Sequence, residues 1–423
     1  MRKAFLTLTL VLMAMGLCAQ NTPKRIVVAY VAGWTTGELP NPRLMTHINY
    51  AFGHVTKTFD GMEVQNPDML RRVVALKKDN PELKVMLSVG GWTSGNFSEM
   101  AASSKFRKSF AKSCMKAVRE YGLDGIDIDW EYPTSSAAGI SSSPDDTRNF
   151  TLLMRDLRKA LGNDLLLTIA TQAAARYIDF KGCMPYLDFV NIMAYDVADP
   201  PKHHTTLHRS KISGRMTVED AVDAHLRAGV PAGRLCLGMP LYGRGDHANQ
   251  ILDKYMKTKD AAGIYHEVWD DEGQVPYLAN EDGELVFGIE NPRSIAAKCQ
   301  LIIDRGLLGG MYWETTEDDA QQDLMQTVYL SLLKEGKATV PQRQVLFLSR
   351  AAMDSENPLV KDIKSLKNTS FSLFTGYDKG VFDRFHYVIA GQGDTASLNA
   401  DARKELERYQ AERRGTLIIL KGN

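Results

Sequence analysis

Hydrophobic and polar positions along this chain alternate between two periods. Short runs rich in β-branched and aromatic residues occur at Arg25–Val31, His47–Phe52, Lys84–Val89, Gly125–Trp130, Leu165–Thr171, Phe189–Tyr195, Arg234–Pro240 and Leu308–Trp313, and these predict strands. Between most of them the apolar spacing becomes helical, at Pro67–Lys78, Ser104–Tyr121, Asp145–Leu161, Val218–Ala228 and Pro292–Arg305. Asn66 before Pro67 suits a helix start, because a capping side chain is followed by a residue whose φ is already helical and which needs no amide partner. Eight strand–helix units fit an α/β (β/α)8 TIM barrel. An open doubly wound sheet fits less well, since no Gly-rich phosphate loop follows the first strand.

The seventh unit is long, and Glu267–Ile289 within it reads as hairpin material, a modest insertion after the seventh strand. Beyond Lys337 the pattern changes again. Strand-like Val345–Leu348, Ser370–Phe374 and Phe385–Ile389, a charged helix near Ala400–Arg414 and a final run Thr416–Lys421 predict a small C-terminal α/β appendage. At the other end, Met1-Arg2-Lys3, an apolar run from Ala4 to Leu17 and small residues after it describe a secretory signal peptide cut after Ala19. Cys18 raises the rival reading of a lipoprotein anchor, which Leu17 disfavours by standing where a small residue is needed. The expected organisation is therefore a leader at 1–19, a catalytic barrel at 20–337 and a C-terminal unit of unknown role at 338–423. The expected location is secreted or periplasmic, with no membrane span.

Composition adds limits. The 423 residues carry 51 basic and 51 acidic side chains and are 44% hydrophobic. Disorder and low-complexity readings are thereby excluded, and a nucleic-acid partner, which calls for a basic excess, is not expected. Cys114, Cys183, Cys236 and Cys299 lie far apart, so neither a metal motif nor a bridge is implied, and they read as small buried hydrophobes. A monomer is expected.

The informative segment is Asp124-Gly125-Ile126-Asp127-Ile128-Asp129-Trp130-Glu131-Tyr132-Pro133. Side chains alternate in a strand, so Asp127, Asp129 and Glu131 share one face while Ile128 and Trp130 share the other. The apolar face suits the helix-packed outside, which sends the three carboxyls into the lumen, rising toward the C-terminal mouth where barrel enzymes work. Repulsion and desolvation raise at least one of their pKa values, and Glu131, nearest the mouth, is the candidate general acid. Asp124 falls off this row and reads as structural. His203, His204 and His208 form a histidine-rich loop after the sixth strand that reads as surface histidines rather than as a metal site, and Thr134–Pro144 reads as a mobile rim loop.

Asp124-x-x-Asp127-x-Asp129-x-Glu131 followed by Tyr132-Pro133 resembles the signature of glycoside hydrolase family 18, the chitinase family. Ser88-Val89-Gly90-Gly91-Trp92, Met193-Ala194-Tyr195-Asp196, Gly238-Met239-Pro240-Leu241-Tyr242-Gly243-Arg244 and Met311-Tyr312-Trp313-Glu314 are similar to its other motifs, in order and on matching strands. The resemblance implies retention without a protein nucleophile. Glu131 would protonate the glycosidic oxygen while the substrate's own 2-acetamido group attacks the anomeric carbon, and Asp129 would orient that group. Asp127 would support Asp129, and Tyr195 would donate to the acetamido oxygen. Trp313 would be the floor on which the reacting sugar stacks.

Trp34 and Trp92 follow the first and third strands and are candidate sugar platforms. Asp196 is a candidate contact for substrate or Glu131. Tyr30, Phe52, Met193, Met239, Tyr242 and Arg244 are candidate pocket lining, although apolar barrel filling accounts for the methionines equally well. Trp130 reads as core. The implied partner is an N-acetylglucosamine-containing oligo- or polysaccharide, with no metal or cofactor. Alternatives are an endo-β-N-acetylglucosaminidase acting on the chitobiose core of N-glycans, and a sugar-binding barrel that does not cut. The short insertion predicts a shallow groove and endo action.

Overall fold

The computed structural model describes residues 25–245, 265–412 and 414–420. The leader, its cleavage point and Cys18 lie outside these residues, as does part of the seventh-unit insertion. The first sheet contains β1 (Ile26–Ala32), β2 (His47–Val55), a short antiparallel partner β3 (Met62–Val64), β4 (Lys84–Gly90), β5 (Gly125–Asp129), β6 (Leu166–Gln172), β7 (Phe189–Met193) and β8 (Leu235–Pro240). The insertion adds β9 (Arg244–Gly245), β10 (His266–Asp270), β11 (Val275–Ala279) and β12 (Leu285–Gly288), an antiparallel sheet of its own. With β13 (Gly309–Trp313), which pairs in parallel with both β8 and β1, while β1 also pairs with β2, eight parallel strands close into a (β/α)8 barrel.

The helices form where the spacing predicts them, at Pro67–Ala75, Ser104–Tyr121, Asp146–Leu161, Val218–Ala228 and Pro292–Asp304. Asn66 accepts from the Met69 amide at 3.3 Å with Pro67 in the first turn. The apolar residues divide into two layers. Val27, Ile48, Val85, Ile126, Ile128 and Leu237 pack outward against the helices. Val28, Tyr30, Met86, Phe189, Cys236 and Met311 fill the lumen below the mouth. Cys114, Cys183, Cys236 and Cys299 are all buried and unbridged.

Residues after the barrel form a second parallel sheet of β14 (Arg343–Phe347), β15 (Thr369–Leu373), β16 (Tyr387–Ala390) and β17 (Thr416–Ile419), in the order β15-β14-β16-β17. Apolar clusters cover both of its faces, as a parallel sheet requires. One cluster includes Ala352, Val360 and Ile363, from short helices at Arg350–Met353 and Pro358–Ser365 that the sequence pattern does not reveal. No helix among the described residues is long and apolar enough to cross a membrane.

Candidate active site

The acidic strand is held from both ends. At its base Asp124 accepts from the Val85 amide at 2.7 Å and pairs with Lys77 at 2.5 Å, fixing where β5 begins beside β4. Near its top the two backbones touch, because the Gly91 amide donates to the Asp129 carbonyl at 2.9 Å. A Cβ on Gly90, whose φ is +134°, would lie 1.9 Å from that same carbonyl, so glycine is the residue this approach permits. Trp130 points outward and stacks on Phe97 at 5.3 Å, which anchors the apolar face.

On the lumen face the three carboxyls occupy three environments. Asp127 is fully buried and accepts from Tyr30 Oη at 2.7 Å, Ser88 Oγ at 2.8 Å, Thr168 Oγ1 at 2.6 Å and Asn191 Nδ2 at 3.5 Å. Burial still raises its pKa, against the pull of these donors. Asp129 is 4% exposed, and its Oδ1 is buried without a partner. Burial, then repulsion from Glu131 and Asp127, pushes Asp129 well above the usual carboxylate range. Glu131 reaches the partly exposed rim, and burial lifts it to about 7. The gradient runs from a fully satisfied acid at the bottom to a reachable one holding its proton near neutrality.

Around the mouth stands an aromatic floor. Trp313 stacks on Phe52 at 5.6 Å with planes 19° apart, and lies 5.6 Å from Tyr30 and 6.2 Å from Trp34. Trp34 and Trp92 are 62% and 54% exposed, open faces of the kind on which sugars stack. Trp92 meets Tyr132 edge-on at 6.5 Å, and Tyr132 stacks on Tyr177 at 5.5 Å. Tyr195 is half-buried, 6.2 Å from the Tyr242 ring, with its hydroxyl 3.9 Å from Met311 Sδ. Asp196 is bound by Arg244 at 3.0 Å and by His204 Nδ1 at 3.2 Å. Burial works to raise its pKa, but these partners and Tyr242 hold it below the usual value.

The structure thus gathers Asp129, Glu131, Tyr195, Asp196, Tyr242, Arg244, Trp313, Phe52, Trp34 and Trp92 around the mouth, with Asp127 buried below them and Met193 on the lumen side of β7. Two expected lining residues sit elsewhere. Met239 is fully buried in the outer layer against the helices, because strand alternation turns it away from the lumen side occupied by Cys236. Tyr30 is 1% exposed, packed against Trp313, and donates its hydroxyl to Asp127. Two loop expectations also change. His203 and His204 are each 1% exposed, drawn in by Asp270 and Asp196, so only His208 keeps to the surface. The Thr134–Pro144 rim is tied down by Asp146, which accepts from the amides of Thr134 and Ser143.

Several participants escaped sequence reasoning. Thr168 and Asn191 surround Asp127, and their signal was a polar residue at an inward position of an apolar strand. Glu317 lies in the loop after β13, and burial raises its pKa to about 8. Nothing in the local sequence marks it, because the loop folds back through a turn in which the Glu317 amide donates to the Glu314 carbonyl at 3.1 Å.

A carboxyl of raised pKa beside buried acids and an aromatic cluster, at the mouth of a barrel, is the equipment of a glycoside hydrolase. The profile of glycosyl hydrolases family 18 matches residues 26–318, and the chain belongs to that family. It is 33% identical over 312 residues to chitinase A1 of Niallia circulans, an alignment covering 62% of this chain but 45% of that protein. Chitotriosidase-1 of Mus musculus is 31% identical over 324 residues, covering 66% of this chain and 68% of that protein. Among solved structures, a family 18 N-acetylglucosaminidase from Paenibacillus barengoltzii matches with a TM-score of 0.67 and 34% identity, over 73% of this chain and 100% of that one.

Proposed function

We propose that this protein is an exported glycosidase that hydrolyses β-1,4 bonds in N-acetylglucosamine-containing chains, chitin or chitooligosaccharides, with retention of configuration. The observation that carries the reading is the unpartnered, buried Oδ1 of Asp129 between satisfied Asp127 and rim-facing Glu131. A buried polar oxygen without a partner is costly, and an acetamido N–H supplied by substrate would satisfy it. Glu131 then protonates the glycosidic oxygen, the acetamido oxygen attacks the anomeric carbon, and a cyclic oxazolinium ion forms. Asp129 holds the N–H and stabilises the developing charge, while Tyr195 donates to the acetamido oxygen. Water opens the ring with Glu131 acting as base, which regenerates the acid. The named chitinases among its relatives favour chitin over N-glycans as substrate.

The test is purified protein assayed on chitooligosaccharides and, in parallel, on an N-glycosylated protein, with the anomer of the first product read by NMR. Short β-anomeric products from the oligosaccharides support the proposal. Release of intact N-glycans without chitin cleavage, or an α-anomeric first product, overturns it.

A further inference from the structure

The loop that leaves β13 carries Trp313 at one end and runs to the helix Asp323–Tyr329 at the other. Its near end is stitched to the barrel, with the Leu241 amide donating to the Trp313 carbonyl at 2.8 Å and the Thr315 amide to the Tyr30 carbonyl at 3.2 Å. Its middle closes on itself. Asp318 accepts from the amides of Asp319, Leu324 and Met325. Its far end is held by the C-terminal unit. Gln321 Nε2 lies 3.0 Å from the Asp383 carbonyl, 3.1 Å from that of Phe385 and 2.7 Å from that of Arg414. Two hydrogens facing three carbonyls make one of these bonds shared.

A second tie stands two residues on. The Gln344 amide donates into His386 Nδ1 at 2.9 Å, so Nε2 carries the ring proton and donates to Asp323 Oδ2 at 2.6 Å. One imidazole thereby links the start of β14 to the helix that ends the loop. On its own side the C-terminal unit stiffens the grip, since Arg408 binds Asp383 at 2.6 Å and Glu412 at 3.1 Å. Its large exposed hydrophobics among the described residues are aliphatic (Val340, Leu359, Leu366 and Ile419), and no exposed tryptophan offers a sugar a stacking face.

We infer that the C-terminal sheet is a brace for the Trp313 loop and not a separate sugar-binding module, with Gln321 and His386 as positioning residues that act through that loop. The three carbonyls come from two separate stretches, 383–385 and 414, which are adjacent only when the sheet is folded. The order of the sugar floor is therefore coupled to the folding of a unit outside the barrel.

The experiment uses the full-length chain with Gln321→Ala, Asp323→Ala and Asp323→Asn. Amide hydrogen exchange across residues 314–319 is expected to quicken by about tenfold in the two alanine variants, as loss of one or two hydrogen bonds allows, with β4 and β5 unchanged. Asp323→Asn keeps an acceptor for Nε2–H and should exchange as the unaltered chain does. Exchange at 314–319 that is unchanged in both alanine variants overturns the brace. The kinetic arm rests on the proposed function: the alanine variants should raise KM for chitooligosaccharides severalfold with kcat altered less. If the unaltered chain cleaves no such sugar, that reading falls alone, and the exchange result still decides the coupling.

Discussion

Tyr30 donates its hydroxyl to Asp127 at 2.7 Å while its ring packs against Trp313, 5.6 Å between centroids with the planes 49° apart. One side chain thus joins the bottom of the carboxyl row to the aromatic cluster at the mouth. Asp127 has three other donors, so Tyr30→Phe leaves the acid partnered but lowers its satisfaction. A hydrogen bond to a buried charged group contributes about 1.5–3 kcal/mol, and the variant should lose stability of that order in urea unfolding. Its kcat should fall while KM for oligosaccharides stays within about threefold, the packing against Trp313 being intact. An unchanged urea midpoint would show that this bond carries no weight.

Glu131→Gln removes the dissociable proton and keeps the shape. General acid catalysis is worth about 10²–10⁴-fold, so turnover of chitooligosaccharides should drop by at least that factor. Calorimetric titration with the same sugars should still detect binding. Hydrolysis at the unaltered rate would sink the mechanism.

In the proposed mechanism Glu131 acts as an acid only while protonated, and burial holds its pKa at about 7 against an ordinary 4.5. The value of kcat/KM should therefore decline as pH rises through about 7. Stability takes the same sign. The native state binds this proton more tightly than the unfolded chain does. Unfolding free energy thus falls as pH climbs from the unfolded carboxyl range, about 4.5, to about 7, and levels off above. Asp129, also raised, acts in the same direction. Urea unfolding from pH 4 to 8.5 should show a shallower decline in Glu131→Gln than in the unaltered protein. A decline of equal steepness in both would contradict the assignment.

Trp313→Ala should raise KM for chitooligosaccharides by roughly tenfold, since an aromatic contact contributes about 0.5–1.5 kcal/mol beyond the area it buries. Trp313→Phe should recover part of this loss. Loss in proportion to melting temperature, with no separate effect on KM, would mark the residue as packing alone.

Lys298 and Glu290 form an ion pair with both side chains fully buried, and Lys298 also reaches Thr205, whose hydroxyl donates to the Ala194 carbonyl at 3.0 Å beside Tyr195. Lys298→Met leaves an uncompensated carboxylate and should cost about 3–5 kcal/mol. The double variant Glu290→Gln with Lys298→Met should regain most of that in the same denaturation assay. A double variant as unstable as the single one would argue that volume, not charge, sets the cost.

The barrel strands and most helices were legible because each buries one face, and burial writes its period into the sequence. The acid row was legible for the same reason, Asp127, Asp129 and Glu131 being charges at inward positions. Met239 misled because a motif says which residues accompany one another, whereas only the strand's register says which way each one points. Histidines 203 and 204 looked like surface residues because their partners, Asp270 and Asp196, are brought to them by the fold. Gln321 gave no signal at all, since its acceptors are backbone carbonyls of turns that precede β16 and β17, more than 60 residues further along.

The alternation along β5 has a consequence for how this protein can change over time. Ile126, Ile128 and Trp130 are gripped by the helix layer while Asp127 and Asp129 look inward. Insertion or deletion of a single residue between Gly125 and Trp130 would swap the two sides beyond it, presenting carboxyls to Phe97 and Phe150 and apolar side chains to the lumen. Substitution at constant length is therefore the change that leaves both faces of β5 in place.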